Sequence, residues 1–425
     1  MPATDDAKDE PTDGATDEST DEPEENPTDE QSGDFTVTPY AVEGEVDYDE
    51  LLDRFGADRL TDDQRGGLPD HPLVRRDVFY AQRNLDPFLA AAKAGEPHSI
   101  VTGRGPSGPM HVGHVFPFYF AKRLQDETGA TVLIPLSDDE KYITKDRSLE
   151  EIGDATRDNL RDVLAVGFDP ENTYVVIDTA DADAVYPIAA TFAKDLTQST
   201  IEAVYGDPPN AGVSFYPAVQ ATHLLLPQLI EGRHPTLVPI AVDQDPHVRV
   251  TRDVAAKERY PVDKPGALLS KFLPSLTGPG KMSAAGEEPS LDLDSSREEV
   301  FETVRTHAYS GGRTSVDEHR EHGGDPELDV AYQYLYYFFE DDDKRVRELA
   351  RRYREGELLS GEMKEVAAER IADFLAAHRA RKADLGPLEE ELPPYRLTRD
   401  ERQRALKTVG YPDDALALTA PGAPQ

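Results

Sequence analysis

Short continuous apolar runs alternate with longer stretches of helical period through the middle of the chain. The runs predict buried strands near residues 98–102, 131–136, 173–178 and 236–242, and the stretches between them, notably 149–166, predict helices. From Val112 onward Val115, Phe118, Tyr119 and Leu124 recur at helical spacing, and Tyr216 to Gln220 reads as the opening of another helix. Upstream, Phe35 to Val46 alternates like a short hairpin, while Tyr80, Leu85, Phe88 and Leu89 suggest helix positions. Downstream, Ser296 to His307, Asp329 to Phe339, Arg345 to Arg354 and Gly361 to Lys382 read as helices; in the last, Val366, Ile371, Phe374 and Leu375 form an apolar stripe suited to a core. The fold class expected is α/β, a doubly wound Rossmann-type parallel sheet followed by an all-helical domain. The domain boundaries expected are an acidic arm over 1–33, an appendage over 34–95, the Rossmann domain over 96–293, the helical domain over 294–400 and a loose tail over 401–425.

Residues 1–33 are Asp, Glu, Thr and Pro with almost no large apolar side chain, so they are expected to stay disordered. The formal net charge is −39, from 84 Asp and Glu against 45 Lys and Arg. Such a balance ordinarily argues against a nucleic-acid partner. The acidity is spread along the whole chain, however, which fits a protein of a salt-saturated cytoplasm. At molar salt the Debye length is about 3 Å, so overall charge scarcely repels a polyanion. There is no cysteine, which excludes disulfides, thiolate nucleophiles and Cys-based zinc sites. No metal-binding spacing of histidines occurs, and neither an apolar signal core nor a run long enough to span a membrane is present. A cytoplasmic protein is expected.

Residues 103–114 read Gly-Arg-Gly-Pro-Ser-Gly-Pro-Met-His-Val-Gly-His, between a predicted strand and a predicted helix. Glycine at such a turn lets backbone approach a ligand closely, and the helix N-terminus offers free N–H groups to phosphate. His111 and His114 are three apart and share one face, so both imidazoles can donate to the oxygens of a phosphate under attack. About 170 residues on comes Lys281-Met-Ser-Ala-Ala285, after Gly278-Pro-Gly280. A lysine on a Gly/Pro-flanked loop suits transient stabilisation of charge on a leaving pyrophosphate. Between them, Ser137 to Lys141 and Asp243 to Gln244 sit at the carboxyl ends of predicted strands, where open α/β sheets bind ligands. Asp245, before Pro246, reads as an ordinary helix cap.

The two motifs together resemble the His-x-Gly-His and Lys-Met-Ser-Lys-Ser signatures of class I aminoacyl-tRNA synthetases. Thr102-Gly-Arg-Gly-Pro-Ser107, Asp138-Asp-Glu-Lys141, Asp243-Gln-Asp-Pro246 and Thr251-Arg-Asp253 are similar to the tryptophanyl branch of archaeal and eukaryotic type. So are Asp47 to Gly56, Ser310-Gly-Gly-Arg313, Glu318-His-Arg320, Gly323-Gly324 and Phe339 to Asp343, and the likeness runs from about residue 34 to about 385.

The resemblance implies an ATP-dependent ligase charging tRNA with tryptophan through an aminoacyl-adenylate, as a homodimer, with Mg²⁺ accompanying ATP and no structural metal. His111, His114, Lys281 and Ser283 match catalytic positions. Gly103, Arg104, Gly105, Ser107, Gly113, Lys141, Asp243 and Met282 match the ATP site. Val101, Pro135, Ser137, Glu140, Gln220 and Gln244 match the amino-acid site, where Glu140, Gln220 and Gln244 are expected on the ammonium group. The helical domain is expected to bind the anticodon through Arg313 and Thr314. There are departures. Eukaryotic members have tyrosine at Val101 and glutamine at Pro135, both bonding the indole N–H. The stretch Ser107 to Met110 is one residue shorter than in animal members, Ala285 departs in the lysine loop, and Thr314 stands where an aspartate reads the anticodon. Indole N–H recognition is therefore expected to be weaker or to use another group. A synthetase of the same fold acting on another amino acid such as tyrosine, or a non-charging tRNA-binding paralogue, are the alternatives.

Overall fold

The computed structural model describes residues 36–37, 42–43, 48–281 and 289–413. The expected acidic arm, together with Met282, Ser283, Ala284 and Ala285, lies outside the described residues. In chain order the strands are β1 (Thr36–Val37), β2 (Val42–Glu43), β3 (Asp58–Arg59), β4 (Phe79–Arg83), β5 (Ser99–Val101), β6 (Thr131–Leu136), β7 (Thr173–Ile177), β8 (Thr236–Ala241), β9 (Gly266–Ser270), β10 (Pro274–Ser275) and β11 (Gly278–Lys281). β1 and β2 form an antiparallel hairpin, as do β10 and β11. The other seven make one sheet in the order β3-β4-β9-β8-β5-β6-β7. Five neighbours from β9 to β7 run parallel, and β4 and β3 add antiparallel at one edge.

Successive side chains on a strand face opposite ways, and both faces of this sheet are covered. On β6, Val132, Ile134 and Leu136 enter one apolar cluster with Phe118, Phe120 and Leu124 of the helix Val112–Thr128. Leu133 points into the other, among Val185 and Ile188 of the helix Ala182–Ala193 and Leu225 and Leu229 of the helix Ala211–Glu231. The first cluster continues without a break into the C-terminal helices: Val300, Leu335, Ile371 and Leu375 belong to it. Phe116 stacks on Phe338 with ring centroids 4.0 Å apart. Phe338 lies on a π-helical turn, Leu335–Phe339, that extends the helix Val330–Tyr334. The Arg76 side chain, 4% exposed, donates to the carbonyls of Leu335 and Tyr336 and pairs with Asp343 at 2.7 Å.

Several expectations are corrected. Tyr80 is a strand residue; β4 is too short for periodicity to separate it from a helix, and the break is Asn84 at φ +53°, after which the helix Asp86–Ala94 begins. Tyr216 lies well inside its helix, which starts at Ala211 because the Asn210 side chain accepts from the Val213 N–H. Pro217 is carried within it. The expected tail from 401 begins inside a helix, Arg399–Thr408, capped by a Thr398/Glu401 box and seated through Ala405 and Leu406. With only those two apolar anchors its sequence resembles a solvated tail. Lys281 ends a paired strand, β11, beyond a fifth parallel strand that was not anticipated.

Candidate active site

A cleft of about 1460 Å³ opens over the carboxyl ends of β5, β6, β8 and β9. β5 lies between β6 and β8, so the chain order reverses there, as at the ligand crevice of open α/β sheets. The glycine-rich turn supplies Gly103, Arg104, Gly105, Ser107, His111, Gly113 and His114 to the cleft wall. From β5, β6 and the turn after β6 come Val101, Pro135, Ser137, Glu140 and Lys141. The remaining walls include Gln220, Asp243 and Gln244. Segments far apart in sequence thus converge on one space. Arg313 and Thr314 are exposed on the C-terminal helical region and do not line the cleft, with Arg313 Nε donating to the Gly323 carbonyl and Thr314 to Glu318.

The matched family model is that of class I tRNA synthetases (W and Y), over residues 93–376. The chain is 62% identical over 376 residues to tryptophan–tRNA ligase 2 of Halobacterium salinarum, covering 88% of this chain and 98% of that one. Against tryptophan–tRNA ligase of Saccharolobus solfataricus it is 40% identical over 363 residues, 83% and 93% of the two chains. A solved tryptophanyl-tRNA synthetase of Giardia lamblia superposes with TM-score 0.74 at 30% identity, covering 83% of this chain and 96% of that one. The chain belongs to the class I tRNA synthetases.

The synthetase builds its histidine motif at the first turn of the helix Val112–Thr128. His111 is the N-cap: its Nδ1 accepts from the Gly113 N–H at 3.1 Å, and His114 Nδ1 accepts from the His111 N–H at 3.2 Å. The two rings lie 3.4 Å apart between centroids. Burial, with the charge of Arg104, pushes the His111 pKa down to about 3. The ring is therefore neutral, and with Nδ1 accepting, its proton sits on Nε2, a buried atom with no hydrogen-bond partner among the described residues. The turn is braced from behind by the segment that follows the lysine loop, since Val112 N–H donates to Leu291 O and Leu293 N–H to Met110 O.

Glu140 and Lys141 form an ion pair at 2.7 Å on the first turn of the helix Asp138–Thr144. Gly105 packs against that pair; a Cβ there would come within 2.3 Å of Lys141 Cε and 2.8 Å of Glu140 Oε2. A Cβ on Gly103 would come within 2.4 Å of the Pro135 carbonyl oxygen, a backbone atom that cannot swing aside as the Lys141 side chain can. Arg104 is fixed by Asn159, which accepts from its Nε at 2.5 Å and itself donates to Gly108 O. Burial lowers the Arg104 pKa to about 10. Gln220 donates to the Tyr216 hydroxyl, and Gln244 to Asp243 at 3.0 Å.

Sequence reasoning missed Asn159, His247 and Tyr337. His247 lines the cleft and bonds the Tyr205 hydroxyl through Nδ1 at 3.0 Å. Tyr337 enters from the π-helical turn. Asn159 lies 55 residues from its arginine, beyond any local pattern. Asp245 is corrected: it makes no capping bond, and its fully buried carboxylate takes a two-pronged bond from Arg83 at 3.0 and 2.8 Å. No helix among the described residues is long and apolar enough to cross a membrane.

Proposed function

We propose that this synthetase attaches tryptophan to its tRNA in two steps at the cleft. The amino-acid carboxylate attacks the α-phosphorus of ATP and pyrophosphate leaves; the adenylate then passes to the terminal ribose of tRNA, releasing AMP. The observation that carries the reading is the convergence of the glycine-rich turn, Glu140–Lys141, Gln220 and Asp243–Gln244 on one cleft in a chain 62% identical to a tryptophan–tRNA ligase.

Roles follow from the geometry. Neutral His111 presents Nε2–H as a donor to a phosphate oxygen, and His114 stands beside it. Arg104, Lys141 and Lys281 bring cations to the triphosphate, with Gly103, Gly105, Ser107, Gly113, Met282 and Ser283 completing that end. In the free protein Glu140 holds Lys141; substrate replaces each partner, the ammonium meeting Glu140 with Gln220 and Gln244, and phosphate meeting Lys141. Val101, Pro135 and Ser137 line the side-chain end. Catalysis is positioning and charge stabilisation. Among the described residues no group of His, Asp or Glu is placed to hold a metal, and Mg²⁺ in this reading is bound by the phosphates of ATP. The helical region over 294–400 would read the anticodon through Arg313 and Thr314, in a cytoplasmic homodimer. ATP–pyrophosphate exchange with all twenty amino acids at high salt tests the reading. Exchange with tryptophan is expected; exchange with tyrosine alone, or with none, overturns it.

A further inference from the structure

Arg104 is the cation of the glycine-rich turn, and its backbone is pinned at both sides: its N–H donates to Pro135 O at 3.0 Å and its carbonyl accepts from the Ser137 N–H at 2.9 Å. The long side chain beyond is free to turn about several bonds, so the backbone alone does not aim the guanidinium. Asn159 does. It is fully buried on the helix Leu149–Ala165 and does not line the cleft. Its Oδ1 accepts from Arg104 Nε at 2.5 Å, and its Nδ2 donates to Gly108 O at 2.9 Å. Both partners demand this orientation of the amide, since Nε–H can only donate and a carbonyl can only accept. One amide thus clasps the arginine and the far end of the turn that carries it. Nη2 reaches the Gly108 and Pro109 carbonyls at 3.4 Å each, and Nη1 takes no bond among the described residues. Because the guanidinium is planar, fixing Nε fixes the direction of both terminal nitrogens.

The helix that carries Asn159 is itself gripped by the end of the C-terminal helix Ser360–Asp384. Asp162 lies three residues past Asn159, on the same face, with its side chain 1% exposed. It meets His378 Nε2 at 3.1 Å and Lys382 Nζ at 2.9 Å. Lys382 also reaches Asp158 at 3.1 Å. Arg161 donates to the carbonyls of Lys382, Leu385 and Gly386, and Arg381 Nε donates to the Ala165 carbonyl. His378 Nδ1 bonds the Tyr119 hydroxyl at 2.9 Å, so the helix that starts at the histidine motif joins the same seam. Helix Leu149–Ala165 can neither roll nor slide without breaking these charge-assisted bonds. At the amino-acid end of the cleft, Glu140 and Gln220 bond elsewhere, to Lys141 and to Tyr216.

We infer that Asn159 is a positioning residue for the ATP step, aiming Arg104 at the triphosphate, and that the C-terminal helix sets that aim through Asp162. The inference rests on the synthetase reading, which places Arg104 on the triphosphate, and deepens it. The nucleotide end of the cleft is thereby built partly from outside the sheet. A shift of the helix end at His378 and Lys382 is felt by ATP and not by tryptophan.

The test is ATP–pyrophosphate exchange by the full chain at fixed KCl, with KM and kcat measured separately for ATP and for tryptophan. Asn159→Ala should lower kcat/KM for ATP by roughly 10- to 10²-fold, the scale of a misplaced binding group, and leave KM for tryptophan little changed. Asn159→Asp keeps an acceptor for Nε and should recover part of the loss, which also covers the case that the alanine variant fails to fold. In an Arg104→Ala background, Asn159→Ala should cost nothing further, because a residue that acts only through another has no effect once that other is gone. Lys382→Met lies outside the cleft and should raise KM for ATP in the same direction by less. An equal loss for both substrates, additive losses in the double variant, or an unchanged KM for ATP in Lys382→Met overturns the inference. Wild-type ATP parameters in Arg104→Ala would instead sink the placing of Arg104 on the triphosphate, so the two failures are distinct.

Discussion

Asp245→Asn should destabilise the protein by about 3–5 kcal/mol, the cost of breaking a buried ion pair by removing one member. The carboxylate is fully buried and takes both Nε and a terminal nitrogen of Arg83, whose side chain is 12% exposed. Arg249 approaches the same carboxylate at 3.3 Å. Asparagine keeps the shape and one acceptor oxygen but removes the charge, so the guanidinium is left with a neutral amide oxygen and the Phe55 and Gly56 carbonyls in place of its counter-charge. The assay is urea unfolding at fixed KCl, compared at 1 and 3 M. Because the pair is shielded from solvent, the loss should be the same at both. A surface pair such as Arg351–Glu348, with both side chains about half exposed, should cost under about 1 kcal/mol to remove and less still as salt rises. Replacing both partners, Arg83→Met with Asp245→Leu, should recover much of the loss, since no unpaired charge remains. An Asp245→Asn protein within about 1 kcal/mol of wild type, or one whose deficit fades with salt, would refute the reasoning.

His111→Ala and Lys281→Ala should each lower adenylate formation by roughly 10²-fold with little change in tryptophan binding; wild-type exchange in either removes that residue from the mechanism. The folded pKa of His111, about 3, implies that the pH profile of exchange carries no inflection from this ring between pH 5 and 8; an inflection lost in His111→Ala contradicts the neutral-donor role. Gly103→Ala should unfold or strongly destabilise the chain because its Cβ meets backbone, whereas Gly105→Ala should fold and lose activity because its Cβ meets the movable ends of Glu140 and Lys141; melting curves and exchange rates separate the two. Arg76→Ala should cost about 2–4 kcal/mol by removing the buried guanidinium's bonds to the Leu335 and Tyr336 carbonyls and to Asp343, although Glu340 N–H still reaches Leu335 O and Arg75 still reaches Asp343; a loss below about 0.5 kcal/mol would show that water replaces it.

The histidine turn was legible because its chemistry is local. Glycines, a cap and two imidazoles three apart are one turn of chain, and the fold around them follows from the apolar runs of β5, β6, β7 and β8. What sequence could not supply lies in pairs brought together from afar. Arg104 finds Asn159, Asp178 finds His223, and Asp245 finds Arg83 across 162 residues. None of these has a period or a motif. β4 was misread for a different reason: five residues of apolar run carry no information that separates a strand from one turn of helix. The C-terminal helix was hidden by its charge, because in a chain this acidic a solvated helix and a solvated tail have much the same composition.

The apolar cluster shared by the sheet and the C-terminal helices sets how the molecule comes apart. Phe116 and Phe120 on the helix that begins at the histidine motif lie in one core with Leu335, Ile371 and Leu375. A chain cut near residue 294 would present each half with an unsealed apolar face, so neither half is a folding unit of its own. Heating should therefore give a single calorimetric transition across residues 48–413, and amides in the helix Ser360–Asp384 should exchange with solvent at the same global opening free energy as those in β6.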